Sequence, residues 1–268
     1  VPPVDDLIQS APRLAALAAD AGRLILDLVR AGIDVSAKDD LSPVTNADLC
    51  AEERLLAGLH DILPGVPVLA EESASRGDIP DVGDTFLVID PLDGTREFVA
   101  GRPEYTVNIG LVAGGRPVLG VLHAPALGRT YWGVVGHGAM RAIHAPGAVP
   151  AADGFEPIAT RPRAAAALAL TSRGYNDAAT EAFLDELGIG ERQRLGSAYK
   201  FALVAEGSAD LYPRFGPTME WDLAAGHALV EAAGGVVLTP EGQAIRYAKA
   251  ETGFRNGPFV AWGRPPGV

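Results

Sequence analysis

Apolar residues at Leu7, Ala11, Leu14, Ala15, Ala18, Ala21, Ile25 and Leu28 recur every three or four positions, which predicts a long amphipathic helix that Gly32 ends. Ile33 to Lys38 then alternates apolar and polar, as a short strand does. Thr45 or Asn46 can cap a second helix reaching about Ile62, where Pro64-Gly65 stops it. Val66 to Ala70 and Phe86 to Asp90 read as buried strands. Thr106 to Val112 and Pro117 to His123 form a hairpin across Ala113-Gly114-Gly115-Arg116, and Thr130 to Val135 adds a further strand. The first half is thus two helices on a largely antiparallel sheet.

Around His137 to Gly154 the chain turns rich in Gly, Ala and Pro, and strands and helices alternate beyond it. Strands are expected at Leu168 to Ser172, Ala209 to Pro213 and Val236 to Leu238. Helices are expected at Asn176 to Leu187, Gly196 to Ala205 and Glu220 to Ala233. This rhythm suits an α/β unit with helices on the sheet faces. The expected division is an N-terminal α+β subdomain, 1–140, and a C-terminal α/β subdomain, 141–268.

Composition narrows the chemistry. With 22 Lys and Arg against 34 Asp and Glu, the formal charge is −12. No basic stripe exists to release counterions from a nucleic-acid polymer. A small anion would also be repelled unless bound cations inverted the local field. Cys50 is the single cysteine, so no intrachain disulfide can form, and a reducing, cytoplasmic setting is expected. No apolar run reaches the length of a membrane span, and no basic region followed by a hydrophobic one opens the chain. The five histidines share no spacing that reads as a zinc site.

The chemistry-bearing stretch is Asp90-Pro91-Leu92-Asp93-Gly94-Thr95, directly after the apolar Phe86-Leu87-Val88-Ile89. Two carboxylates with a carbonyl between them form the oxygen cluster that a hard divalent cation takes, together with phosphate oxygens. Gly94 allows close backbone approach, and the amides after it face an anion. An Asx-turn with a helix cap explains the same residues structurally. Glu71 and Glu72, after the neighbouring strand, either complete a metal shell or stand as ordinary loop acids. Asp48 and Asp222 each fall in the first turn of a predicted helix, where capping and the macrodipole favour a carboxylate in any case. Lys200 and Arg214 are the cations best suited to a second phosphate, Arg offering a bidentate fork.

Ser42-Pro43-Val44-Thr45-Asn46-Ala47-Asp48, Glu71-Glu72-Ser73, Asp90 to Thr95 and Trp221-Asp222-Leu223-Ala224-Ala225-Gly226 occur in the order seen in the inositol-monophosphatase superfamily, and the chain resembles it from about Leu7 to Trp262. Within that superfamily, Lys200-Phe201 and Asp210-Leu211-Tyr212-Pro213-Arg214-Phe215-Gly216-Pro217-Thr218 look like the CysQ-type 3'(2'),5'-bisphosphate nucleotidases. The resemblance implies a layered α/β/α/β/α fold and a lithium-sensitive phosphomonoesterase. It implies two or three Mg²⁺. One would be held by Glu71, Asp90 and the Leu92 carbonyl, a second by Asp90, Asp93 and Asp222, and a weaker third would lie near Glu71. Thr95 and Asp48 resemble the pair that orients or deprotonates the attacking water, with Glu71 at the same catalytic site. Gly94 and Thr95 would hold the phosphate, and Ser197, Lys200 and Arg214 the nucleotide and its second phosphate. Tyr175 stands where the family usually has a histidine near the base, and a tyrosine can stack on adenine. The implied reaction is removal of the 3'-phosphate from 3'-phosphoadenosine 5'-phosphate. An inositol or sugar monophosphatase is the enzymatic alternative, and a metal-binding regulatory protein of the same fold the non-enzymatic one. The expected partner is this small nucleotide, with no nucleic-acid polymer and no membrane segment, and a homodimer is compatible with the sequence.

Overall fold

The computed structural model describes residues 3–32, 35–37, 43–162, 166–174 and 178–265. Helix α1 (Val4–Ala31) buries Leu7, Ala11, Leu14, Ala18, Ala21 and Ile25 on one stripe, the face set by its apolar period. Strands β1 (Val35–Ala37) and β2 (Pro43–Thr45) pair antiparallel and lead into α2 (Asn46–Ile62). The rest of the predicted strand, Ile33, Asp34 and Lys38, and Ser42 lie outside the described residues. Thr45 caps α2: its Oγ1 accepts from Ala47 N at 3.1 Å, and its amide donates to Asp48 Oδ2 at 2.7 Å.

A seven-stranded sheet follows, with its strands side by side in chain order: β3 (Val68–Ala70), β4 (Thr85–Asp93), β5 (Thr106–Ala113), β6 (Arg116–Ala124), β7 (Arg129–Val134), β8 (Gly138–Ile143) and β9 (Glu156–Ile158). Only β3 and β4 run parallel. Two short helices sit at the ends of these strands, α3 (Glu71–Ser75) after β3 and α4 (Thr95–Val99) after β4. The expected division at residue 140 falls inside β8. The Gly- and Ala-rich stretch there belongs to the far edge of the first sheet, which continues to Ile158.

The second sheet has five strands in the order β11 (Glu191–Leu195), β10 (Leu168–Ser172), β12 (Leu211–Arg214), β16 (Phe259–Trp262) and β14 (Val236–Leu238). A two-stranded ribbon, β13 (Thr218–Met219) with β15 (Arg255–Asn256), lies beside it. Helices α5 (Ala178–Glu186), α6 (Tyr199–Ala205) and α7 (Glu220–Ala232) complete the chain.

Three apolar clusters define the layers. Leu14, Ile25 and Leu55 of α1 and α2 meet Leu87, Ile109 and Val121 on one face of the large sheet. Val88 and Leu122 on its other face meet Phe201 and Leu229 of α6 and α7, which in turn meet Tyr212 and Phe259 of the second sheet. Leu184 of α5 packs with Ala169, Leu211 and Val260 on the outer face. The result is an α/β/α/β/α sandwich, the architecture expected. Each fully buried Leu or Ile contributes roughly 1.5–3 kcal/mol, so the interior is held by two sheets that share the central helices. Close approach is required there. A Cβ at Gly120 of β6 would lie 2.1 Å from the Ala225 carbonyl oxygen of α7. No helix among the described residues is long and apolar enough to cross a membrane.

Candidate active site

The layered packing carries the ends of β3 and β4 and the start of α7 to one place. There, carboxylate oxygens of Glu71, Asp90 and Asp222 lie within 4.8 Å of one another. Asp90 is fully buried, and its Oδ1 accepts from Leu92 N at 2.9 Å, the turn that Pro91 and the apolar strand enforce. Asp222 Oδ2 accepts from Met219 N at 3.1 Å and Thr218 Oγ1 at 3.0 Å, so capping and site geometry coexist in one residue. Asp93 stands beside this group, and one of its oxygens accepts from Ala198 N.

Burial, followed by repulsion from Glu71, Asp93 and Asp222, pushes the Asp90 carboxyl well above the ordinary carboxylate range. Asp93 is pushed up to about 7, first by burial and then by Asp222, against opposing effects of Lys200, the Ala198 amide and Arg214. Such crowding of acids is costly for the protein alone and is relieved by a cation among them. The donor set is all oxygen, from clustered carboxylates, and it fits a hard divalent ion.

Thr95 opens α4 beside the cluster. Its Oγ1 lies 3.1 Å from Asp48 Oδ1 and 3.2 Å from the Leu92 carbonyl oxygen. Asp48 is buried, and its other oxygen accepts from the Thr45 amide at 2.7 Å and the Thr45 hydroxyl at 2.6 Å. Gly94 adopts φ +92°, and a side chain there would press on Ser197 Cβ and the Glu104 carbonyl at 3.2–3.3 Å.

Above these groups is a cavity of about 480 Å³. Its lining includes the carboxylates of Glu71, Asp93 and Asp222 together with Lys200, Arg214 and Arg173. Lys200 is buried at 2% exposure, and its ammonium donates to the carbonyls of Ser197 at 2.6 Å and Leu195 at 3.3 Å. It also lies 4.8 Å from the centre of the Tyr212 ring. Arg214 Nη2 donates to the Pro217 carbonyl at 2.9 Å. The Lys200 charge is thus strapped inward, toward Asp93 and the Gly196-Ser197-Ala198 corner. Tyr175 lies outside the described residues.

Sequence reasoning passed over Glu52. This buried α2 residue receives the Glu72 amide at 2.8 Å and the Ser73 hydroxyl at 2.7 Å, and so fixes the turn that presents Glu71. The signal was its spacing: Glu52 follows Asp48 by four positions and shares its helix face. His227, by contrast, binds Tyr247 and Glu231 at 2.8 and 3.1 Å, away from the carboxylate cluster.

A carboxylate floor under a pocket with cationic walls defines a site for divalent cations and a phosphorylated ligand. The chain belongs to the inositol monophosphatase family, whose model matches residues 9–261. Members of this family generally depend on Mg²⁺. Among curated proteins, it is 37% identical to the 3'(2'),5'-bisphosphate nucleotidase CysQ of Salmonella typhimurium, over 93% of this chain and 98% of that one. It is 38% identical to the protein of the same name from Escherichia coli, over 91% and 96%. Among solved structures, CysQ from Bacteroides thetaiotaomicron superposes with a TM-score of 0.75 at 34% identity, over 97% of this chain and 96% of that one. An IMPase from Thermotoga maritima also gives 0.75, at 27% identity over 93% and 90%.

Proposed function

We propose that this chain is a Mg²⁺-dependent 3'(2'),5'-bisphosphate nucleotidase that converts 3'-phosphoadenosine 5'-phosphate to AMP and inorganic phosphate. The observation that carries the reading is a single cavity lined both by the carboxylates Glu71, Asp93 and Asp222 and by the cations Lys200 and Arg214. A monophosphate needs only the carboxylates and the cations they would hold, whereas a bisphosphate also offers a second charge to Arg214. The similarity to proteins named as bisphosphate nucleotidases supports the same choice.

Glu71, Asp90, the Leu92 carbonyl, Asp93 and Asp222 would hold two or three Mg²⁺. When bound, these ions neutralise the phosphate and stabilise the attacking and leaving oxygens of an in-line displacement. The residues of the chain do the rest. Thr95 Oγ1, polarised by Asp48 at 3.1 Å, orients the incoming water and passes its proton toward the carboxylate. The water oxygen bonds to phosphorus as the bond to the 3'-oxygen breaks; that oxygen takes a proton from solvent, and Asp48 returns the one it accepted to solvent. Gly94 and Thr95 hold the departing phosphate through their backbone, and Ser197 and Arg214 the remainder of the nucleotide. Arg214→Ala is expected to raise KM for the bisphosphate about tenfold or more, since charge-assisted bonds to phosphate contribute roughly 1.5–3 kcal/mol. KM for inositol 1-phosphate should stay within about twofold. Equal changes for the two substrates would remove Arg214 from the second-phosphate pocket.

A further inference from the structure

We infer that Arg173 is a positioning residue, an ionic strut that sets the Gly196-Ser197-Ala198 corner against Asp93 and thereby shapes the second-phosphate end of the pocket. The inference rests on the bisphosphate reading above.

The strut joins two sheets. Arg173 follows β10 of the second sheet, and its amide donates to the Leu195 carbonyl at 3.0 Å. Its guanidinium donates to both Glu104 oxygens, at 2.8 and 3.4 Å, and to the Arg194 carbonyl at 3.3 Å. Glu97 of α4 lies 3.9 Å away. Glu104 and Glu97 belong to the segment that leaves Thr95 and leads into the first sheet. Side-chain exposure is 26% for Arg173, 15% for Glu104 and 11% for Glu97, so this trio is shielded from the solvent that weakens surface pairs. The guanidinium holds the Glu104 carboxyl below its usual range.

The corner needs such support. Ser197 sits at φ +53°, in the left-handed region that non-glycine residues rarely adopt. Gly196 rests directly on Glu97, where a Cβ would lie 2.4 Å from that side chain. Ala198 donates to Asp93, and the Leu195 and Ser197 carbonyls hold the Lys200 ammonium. Arg173 and Lys200 thus meet at the Leu195 carbonyl on one side of the corner, while Glu97 and Glu104, which Arg173 holds, back the corner on the other. Arg173 lines the cavity, yet its guanidinium already binds both Glu104 oxygens and the Arg194 carbonyl, which marks it as a support and not a phosphate ligand.

The two roles separate experimentally. Arg173→Ala and Glu104→Gln should both raise KM for 3'-phosphoadenosine 5'-phosphate about tenfold or more, because a 1 Å misplacement costs on that order or beyond. kcat should fall less than about threefold, and KM for inositol 1-phosphate should hardly move. Arg173→Lys should recover part of the loss, and thermal midpoints should confirm folded variants. If Glu104→Gln leaves KM unchanged or lowers it while Arg173→Ala raises it, Arg173 grips phosphate itself and the strut is wrong. If neither variant changes KM for a wild type that prefers the bisphosphate, the strut alone is overturned. A wild type indifferent to the bisphosphate overturns both readings.

Discussion

Asp90 is buried among three other acids, and its position makes opposite demands on stability and catalysis. Replacing it by Asn keeps the shape and removes the repulsion from Glu71, Asp93 and Asp222. In EDTA, Asp90→Asn should therefore melt above the wild type, by ~2–4 °C for each kcal/mol of relieved repulsion. Adding Mg²⁺ should reverse the order, since ligand at 100 times its Kd contributes about 2.7 kcal/mol to a protein that binds it. Thermal denaturation with and without metal checks both halves. A buried base offers a separate test. His123 is held down to about 3, first by burial and then by the nearby His144, with Thr130 Oγ1 2.8 Å from each ring. Its folded value lies below the ordinary 6.5, so the unfolded chain binds the extra proton between those values. Stability should fall as pH drops from about 6.5 toward 3, with a slope from this group of up to about 1.4 kcal/mol per pH unit. His123→Leu should flatten that slope in urea titrations. Asp90 and Asp93 stood out because they flank a turn after an apolar strand, whereas Asp48, Glu71 and Asp222 were singled out by the family resemblance, since capping or loop exposure explains each of them equally well. The inward strapping of Lys200 was not, because the carbonyls that hold it come from a turn with no side-chain signature.

Helix α7 does the most architectural work, since it packs on the large sheet, meets α6 and carries Asp222 in its first turn. Gly120→Ala would drive a methyl into its backbone at Ala225. A loss of roughly 1–3 kcal/mol is expected from overpacking, read in urea unfolding, with activity falling because Asp222 shifts with the helix. Elements with a strong period, such as α1, α2, β5 and β6, could be placed from the apolar pattern alone. Those that escaped it had physical reasons. β11, Glu-Arg-Gln-Arg-Leu, is a charged edge strand with little apolar alternation. β16 pairs with β12 and β14, far from it in sequence, so no local hairpin announced it. The corner Gly196 to Ala198 read as the opening of a helix, yet helical backbone begins at Tyr199 because Ser197 turns left-handed and the Ala198 amide is given to Asp93.

The whole molecule carries a net charge of −12 and gathers buried and half-buried acids beside the candidate active-site cavity. On such a body the proposed phosphate chemistry requires bound cations to invert the local field, so activity should vanish with chelation and return with Mg²⁺. The layered fold was legible from the order of elements and the family resemblance. The continuity of the large sheet through residue 158 was not, because its last strands are short and separated by Gly and Pro. The central claim is tested most directly by measuring phosphate release with Mg²⁺ from 3'-phosphoadenosine 5'-phosphate beside inositol 1-phosphate, with Asp90→Asn as the blank. The expected result is a kcat/KM at least about a hundredfold higher for the bisphosphate, roughly the effect of one well-placed charged hydrogen bond, and no release by the variant. Equal or greater turnover of inositol 1-phosphate, or release undiminished in Asp90→Asn, would contradict it.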